Sequence, residues 1–175
     1  MSELEDAWEL ALADAQLRAH AAGRADIAEY LTVRKRNDLL RRTAIDWLLN
    51  EVVSLAGQAN RAGAGIQIEQ KEPHRFSRRN ATMVGRQVTL RRGVRELIIE
   101  CGWPRTPRDG IVRGGGLACA NVKHFGRRGS NVELLLTPLS KDKPHWLVVP
   151  DDDTDRTVFA EETLRSHFVT FLRDD

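Results

Sequence analysis

The spacing of apolar residues changes sharply at "RAGAG", residues 61–65. Before that segment, apolar residues recur every three or four positions. From Ile66 onward they alternate with polar ones. A period near 3.6 specifies helix and a period of two specifies strand, and a segment patterned for one does not settle as the other. The switch therefore divides the chain into a helical first third and a stranded remainder.

In the first third, Leu4, Trp8, Leu12 and Ala15 fall on one helical stripe. Glu3, Glu5 and Asp6 precede it, where negative charge suits the positive end of a helix dipole. Gly23 provides a stop. A second pattern begins near Asp26 with Ile27, Tyr30 and Leu31 and runs through Leu40. A third carries Ile45, Leu48, Leu49, Val52, Ala56 and Ala59. Residues 24–61 thus read as one long helix or as two with a break near 37–43.

Beyond residue 65, Ile66 and Ile68 mark a first strand. Val84, Val88 and Leu90 mark a second, and Leu97, Ile99 and Cys101 a third. Residues 117–125, 132–139 and 145–150 follow. Turn signals separate them at Arg92 and Gly93, Asp109 and Gly110, residues 128–130, and residues 142–144. These connections are too short for crossover helices, so neighbouring strands pair antiparallel. A last helix follows the acidic "DDDTD" of residues 151–155, with Leu164, Phe168, Phe171 and Leu172 as its buried stripe. The expected fold is α+β. N-terminal helices and a C-terminal helix pack on one face of a five- or six-stranded, mainly antiparallel sheet. The 175 residues suit a single domain, with a helical part at 1–62, the sheet at 66–150 and the final helix at 156–173.

Charge is unevenly distributed along this frame. Residues 71–128 hold 14 basic and 4 acidic groups, a net charge of +10, and twelve of the cations are arginines. Residues 151–175 hold 3 basic and 8 acidic groups, a net charge of −5. Arginine's planar fork of donors matches phosphate and carboxylate groups. In a meander, alternate connections emerge at the same end of the sheet. The connection after the first strand and the connection after the third would then meet. That gathers His74, Arg75, Arg78, Arg79, Arg105, Arg108 and Arg113 into a candidate anion or nucleic-acid site, with Asp109 nearby. Arg91, Arg92, Arg127 and Arg128 form a secondary basic cluster at the opposite end. The plainer alternatives are solvated surface charge, or neutralisation by the acidic segment 151–155.

Other signals are weaker. "RKRNDLLRR", residues 34–42, offers a basic helix face, and Asp38 is placed to pair within it. The glycines at 114–116 do not precede a lysine and a helix, so they read as a bulge or a close backbone approach, not a phosphate loop. His20, His74, His124, His145 and His167, with Cys101 and Cys119, show no metal-ligand spacing, so no metal or cofactor is expected. His74 and His124 with Asp109 could assemble an acid–base site only if the fold brought them together. Phe76, Trp103 and Phe125 lie near arginines as possible stacking platforms, but aromatics make up only 6% of the chain, few for a dedicated single-strand binder.

No apolar run spans a bilayer and no basic, apolar leader opens the sequence, so the expectation is a cytoplasmic protein without membrane contact. The expected function is a non-enzymatic binding domain or complex subunit. Its partner would be a nucleic-acid backbone or another protein with an acidic surface. The alternatives are a protein–protein adaptor using the N-terminal helices, with oligomer or larger-complex formation, and a small enzyme acting on a phosphorylated substrate.

Overall fold

A computed structural model describes residues 3–139, 143–152 and 154–173. Two helices, α1 (Glu3–Ala21) and α2 (Ala25–Arg61), precede seven strands: β1 (Gln67–Arg78), β2 (Ala81–Arg92), β3 (Arg95–Trp103), β4 (Ala118–His124), β5 (Val132–Leu139), β6 (Lys143–Val149) and β7 (Thr157–Val158). Helix α3 (Glu161–Leu172) closes the chain. The strands form one open antiparallel sheet in sequence order, β1 to β7. The fold is α+β, as the change of period requires.

The chain divides into two compact units, residues 1–42 and 43–175. In the first, α1 folds back along the start of α2. Gln16 Nε2 donates to Thr32 Oγ1 at 2.8 Å, Trp8 Nε1 donates to Asp38 Oδ2 at 3.3 Å, and Glu9 pairs with Arg42. Asp38 also accepts from Arg41 Nη1 at 2.7 Å. The basic stretch 34–42 is thus partly neutralised within its own helix.

In the second unit, residues 44–61 of α2 and all of α3 lie on one face of the sheet. Trp146 Nε1 on β6 donates to the Ala44 carbonyl at 3.1 Å, and Arg86 on β2 pairs with Asp46. Leu48, Leu49 and Val52 of α2 and Leu164 of α3 are buried, with Leu90, Leu97, Ile99 and Leu134 of the sheet. Each such side chain contributes roughly 1.5–3 kcal/mol by leaving water. Arg92 Nη1 and Arg127 Nη1 donate to the carbonyls of Leu172 and Thr170 at 2.9 and 3.0 Å, satisfying the C-terminal end of α3.

Of the two readings open for residues 24–61, the single helix is the one found, uninterrupted over the 37 residues Ala25–Arg61. Three features differ from the sequence expectation. The sheet has seven strands, because a two-residue strand, β7, pairs with β6 before α3 begins. Helix α3 starts at Glu161, not at residue 156. Strand β1 extends to Arg78, so Arg75 and Arg78 lie on a strand and not in a connection. It is an edge strand, exposed on both faces over its first half. It therefore lacks the apolar alternation that marks an internal strand, and it tolerates Pro73. The expected turn at residues 142–144 begins outside the described residues.

Candidate arginine-lined site

The β1–β2 turn and the β3–β4 connection meet. A Cβ placed on Gly110 would stand 3.1 Å from Ala81 Cβ and 3.3 Å from the Asn80 carbonyl oxygen. Arg75 Nη2 reaches Asp109 Oδ1 at 3.1 Å. Asp109 organises the connection. Its Oδ2 accepts the Thr106 hydroxyl and the Thr106 N–H at 3.0 Å each, and the Arg105 N–H at 3.2 Å. The Thr106 hydroxyl, aided by these N–H groups and Arg75, holds the Asp109 carboxyl below the usual carboxylate range. Its negative charge is thus spent on fixing backbone.

The six arginines and one histidine expected to gather are sorted by the sheet. Successive strand side chains point to opposite faces. Arg75 stands opposite Val84, which stands opposite Trp103, on the face that α2 and α3 cover. Arg105 is on that side too. Its guanidinium carbon lies 3.5 Å from the Trp103 ring centre, and its Nε donates to the Val84 carbonyl at 3.3 Å. His74 and Arg78 project from the other face. Arg79 sits at the tip of the β1–β2 turn, Arg108 lies exposed in the 3₁₀ turn Pro107–Asp109, and Arg113 lies in the connection that follows. Arg91, Arg92, Arg127 and Arg128 lie at the far end of the sheet. There Arg91 pairs with Glu69 and Glu96, while Arg92 and Arg127 cap α3.

On the face away from the helices, the meeting loops enclose a cavity of about 180 Å³. Arg78, Arg79, Arg113 and Arg156 line it, and Met83, Cys119, Leu135 and Val149 form an apolar floor. Arg156 is a lining residue that the charge pattern of the sequence did not single out. Arg78 is held in place. Its Nη2 pairs with Glu133 at 3.2 Å, and its Nη1 donates to Cys119 Sγ at 2.7 Å. Its counter-charge among the described residues is therefore Glu133. Burial pushes the Cys119 thiol up, with Arg78 opposing, and the sulfur stays protonated. Gly116 lets the loop close on the floor, since a Cβ there would stand 2.2 Å from Leu135 Cδ1. The glycine run reads from sequence as a bulge or a close backbone approach, but what crowds Gly116 is the Leu135 and Val112 side chains.

Comparison with protein families, with curated proteins and with solved structures finds no match to this chain.

Further along the same face, Glu100 is buried beneath Lys123, Asn121 and His74. His74 Nε2 donates to Glu100 Oε2 at 2.8 Å. Burial pushes the Glu100 carboxyl up, but the hydrogen bonds from Lys123, Asn121 and His74 outweigh it and leave it below its usual range. This network ties β1, β3 and β4 together. His124 stands opposite Leu97 on the helix-covered face, where its Nε2 lies 3.0 Å from His167 Nδ1. His74 and His124 are therefore on opposite faces of the sheet, and the acid–base arrangement with Asp109 does not form. Of the aromatics, Phe76 and Trp103 are buried and Phe125 is exposed near the far end. No helix among the described residues is long and apolar enough to cross a membrane.

Proposed function

We propose that this chain is a non-enzymatic binding domain whose partner is anionic, and that the partner is the phosphate backbone of a nucleic acid. One observation carries the reading. Arg79, Arg108 and Arg113 stand exposed on two adjoining loops, and none has an ion-pair or hydrogen-bond partner among the described residues. Their neighbours Arg75, Arg78 and Arg105 are engaged within the fold, so these three are the cations left to serve a partner. Unpaired like charges on one surface repel, and an anionic partner offsets that cost.

Anisotropy with duplex and single-stranded probes, DNA and RNA, tests the reading. Three phosphate contacts predict a fall in binding of roughly fortyfold over a fourfold rise in salt. Replacing Arg79, Arg108 and Arg113 with Ala should flatten that dependence. Absence of binding to every probe at low salt overturns the reading.

A second reading has its own support. In the helical unit, Leu10, Leu17, Tyr30, Val33 and Leu39 are exposed apolar side chains, which favours an adaptor that docks another protein there. Light scattering that finds a stable oligomer free of nucleic acid would favour it.

A further inference from the structure

The cavity beside the β1–β2 turn joins two chemistries that a bare phosphate backbone does not need together. Its rim is cationic: Arg79 and Arg113 face it without a carboxylate partner among the described residues. Its floor is apolar, made by the buried side chains of Met83, Cys119, Leu135 and Val149. An apolar floor gains by excluding water, and a guanidinium gains by meeting a planar anion with two parallel hydrogen bonds. Only a ligand with both parts satisfies both walls.

Volume sets the size of that ligand. An apolar cavity of about 150 Å³ holds benzene, and sites for drug-sized molecules begin near about 300 Å³. At about 180 Å³ the space here fits one ring or one branched alkyl group.

The backbone adds a separate observation. Arg79 adopts φ 52°, in the left-handed region that glycine or asparagine occupies at little cost. For other residues this conformation costs roughly 1–2 kcal/mol. The two-residue β1–β2 turn requires a positive φ at its first position, and it sets Arg79 at the rim of the cavity.

We propose that this cavity binds a small organic acid, a carboxylate carried on a single aromatic ring or branched alkyl body. The same chemistry is available as a free acid or as the C-terminal carboxylate of a peptide ending in an apolar residue. The carboxylate meets Arg79 and Arg113, while the body rests on Met83, Leu135 and Val149. This site does not depend on the nucleic-acid reading, although the two share arginines.

The full chain, titrated with benzoate, acetate and benzyl alcohol and followed through the Met83 methyl resonance, tests the proposal. Benzoate should bind at least about tenfold more tightly than either of the others. Acetate equal to benzoate would show a rim without a floor, benzyl alcohol equal to benzoate would show a floor without a rim, and each overturns the proposal. So does absence of benzoate binding.

A short peptide ending in Phe with a free carboxylate, compared with its amide, identifies the source. Tighter binding of the free carboxylate than benzoate assigns a chain terminus, weaker binding assigns a free acid, and equal binding of acid and amide overturns the proposal.

Val149→Phe fills the floor and should abolish benzoate binding while leaving nucleic-acid anisotropy unchanged. If that variant does not fold, Arg79→Gly supplies the test, because it relieves the left-handed strain. It should melt no lower than the parent and bind benzoate about tenfold more weakly. Unchanged benzoate affinity in Arg79→Gly overturns the proposal.

Discussion

Arg75 on β1 and Asp109 in the β3–β4 connection lie 3.1 Å apart, and this contact fastens the connection to a strand 34 residues away in sequence. Asp109 also holds the Thr106 hydroxyl and two backbone N–H groups. Replacing it with Ala should free the connection. Amide exchange at Arg105 and Thr106 should accelerate, and the melting temperature should fall. Because the Asp109 carboxyl is held below its unfolded value, its contribution is complete above that unfolded value, near pH 4. It is lost as the pH falls through the folded one. Hydrogen exchange across an acid series checks both points.

Arg105 and Arg108 are three residues apart and should behave oppositely. Arg105→Ala removes the stacking on Trp103 and the bond to Val84 O. It should lower stability by about 1–2 kcal/mol and leave the salt dependence of nucleic-acid binding intact. Arg108→Ala should leave stability unchanged and reduce the salt slope by about one contact. Urea melts and anisotropy titrations on the two variants separate the roles.

Three arginines of the far basic cluster, Arg91, Arg92 and Arg127, are engaged within the fold. Arg92 and Arg127 cap the last carbonyls of α3. Each Arg→Ala change should cost about 1 kcal/mol and fray the helix from its C-terminal end, visible as lost exchange protection at Arg173, whose N–H bonds to Val169 O. Loss of nucleic-acid binding in these variants, with α3 intact, would contradict this assignment.

The His124–His167 pair makes stability depend on pH. Burial, with His167 and Arg127 nearby, lowers His124 from 6.5 to about 4, and burial lowers His167 in the same direction. The unfolded chain therefore binds more protons than the folded one between these values. The stabilisation is complete above pH 6.5 and declines as the pH drops towards 4. For His124 this amounts to roughly 3 kcal/mol. Urea midpoints should fall across that window in the parent and fall less in His124→Gln.

The period switch at residues 61–65 determined the class of the fold. Helical spacing before it and alternation after it leave an antiparallel sheet with helices on one face, and short connections leave a meander. The meander in turn places the β1–β2 turn and the β3–β4 connection at one end, so the proximity of residues 73–80 to 104–116 was legible. The length of β1 was not, because an edge strand wet on both faces carries no alternation. Nor was the division of labour among the arginines. Arg75 and Arg78 are three residues apart in a basic run, and because β1 is a regular strand from His74 to Arg78, the pleat sends them to opposite faces. One meets Asp109 and the other Glu133. Arg156, far along the chain, joins the rim only through the return of β6. Sequence fixes which side chains carry charge and which segments are strands. Whether a given charge is neutralised depends on long-range partners that only the packed sheet brings within reach.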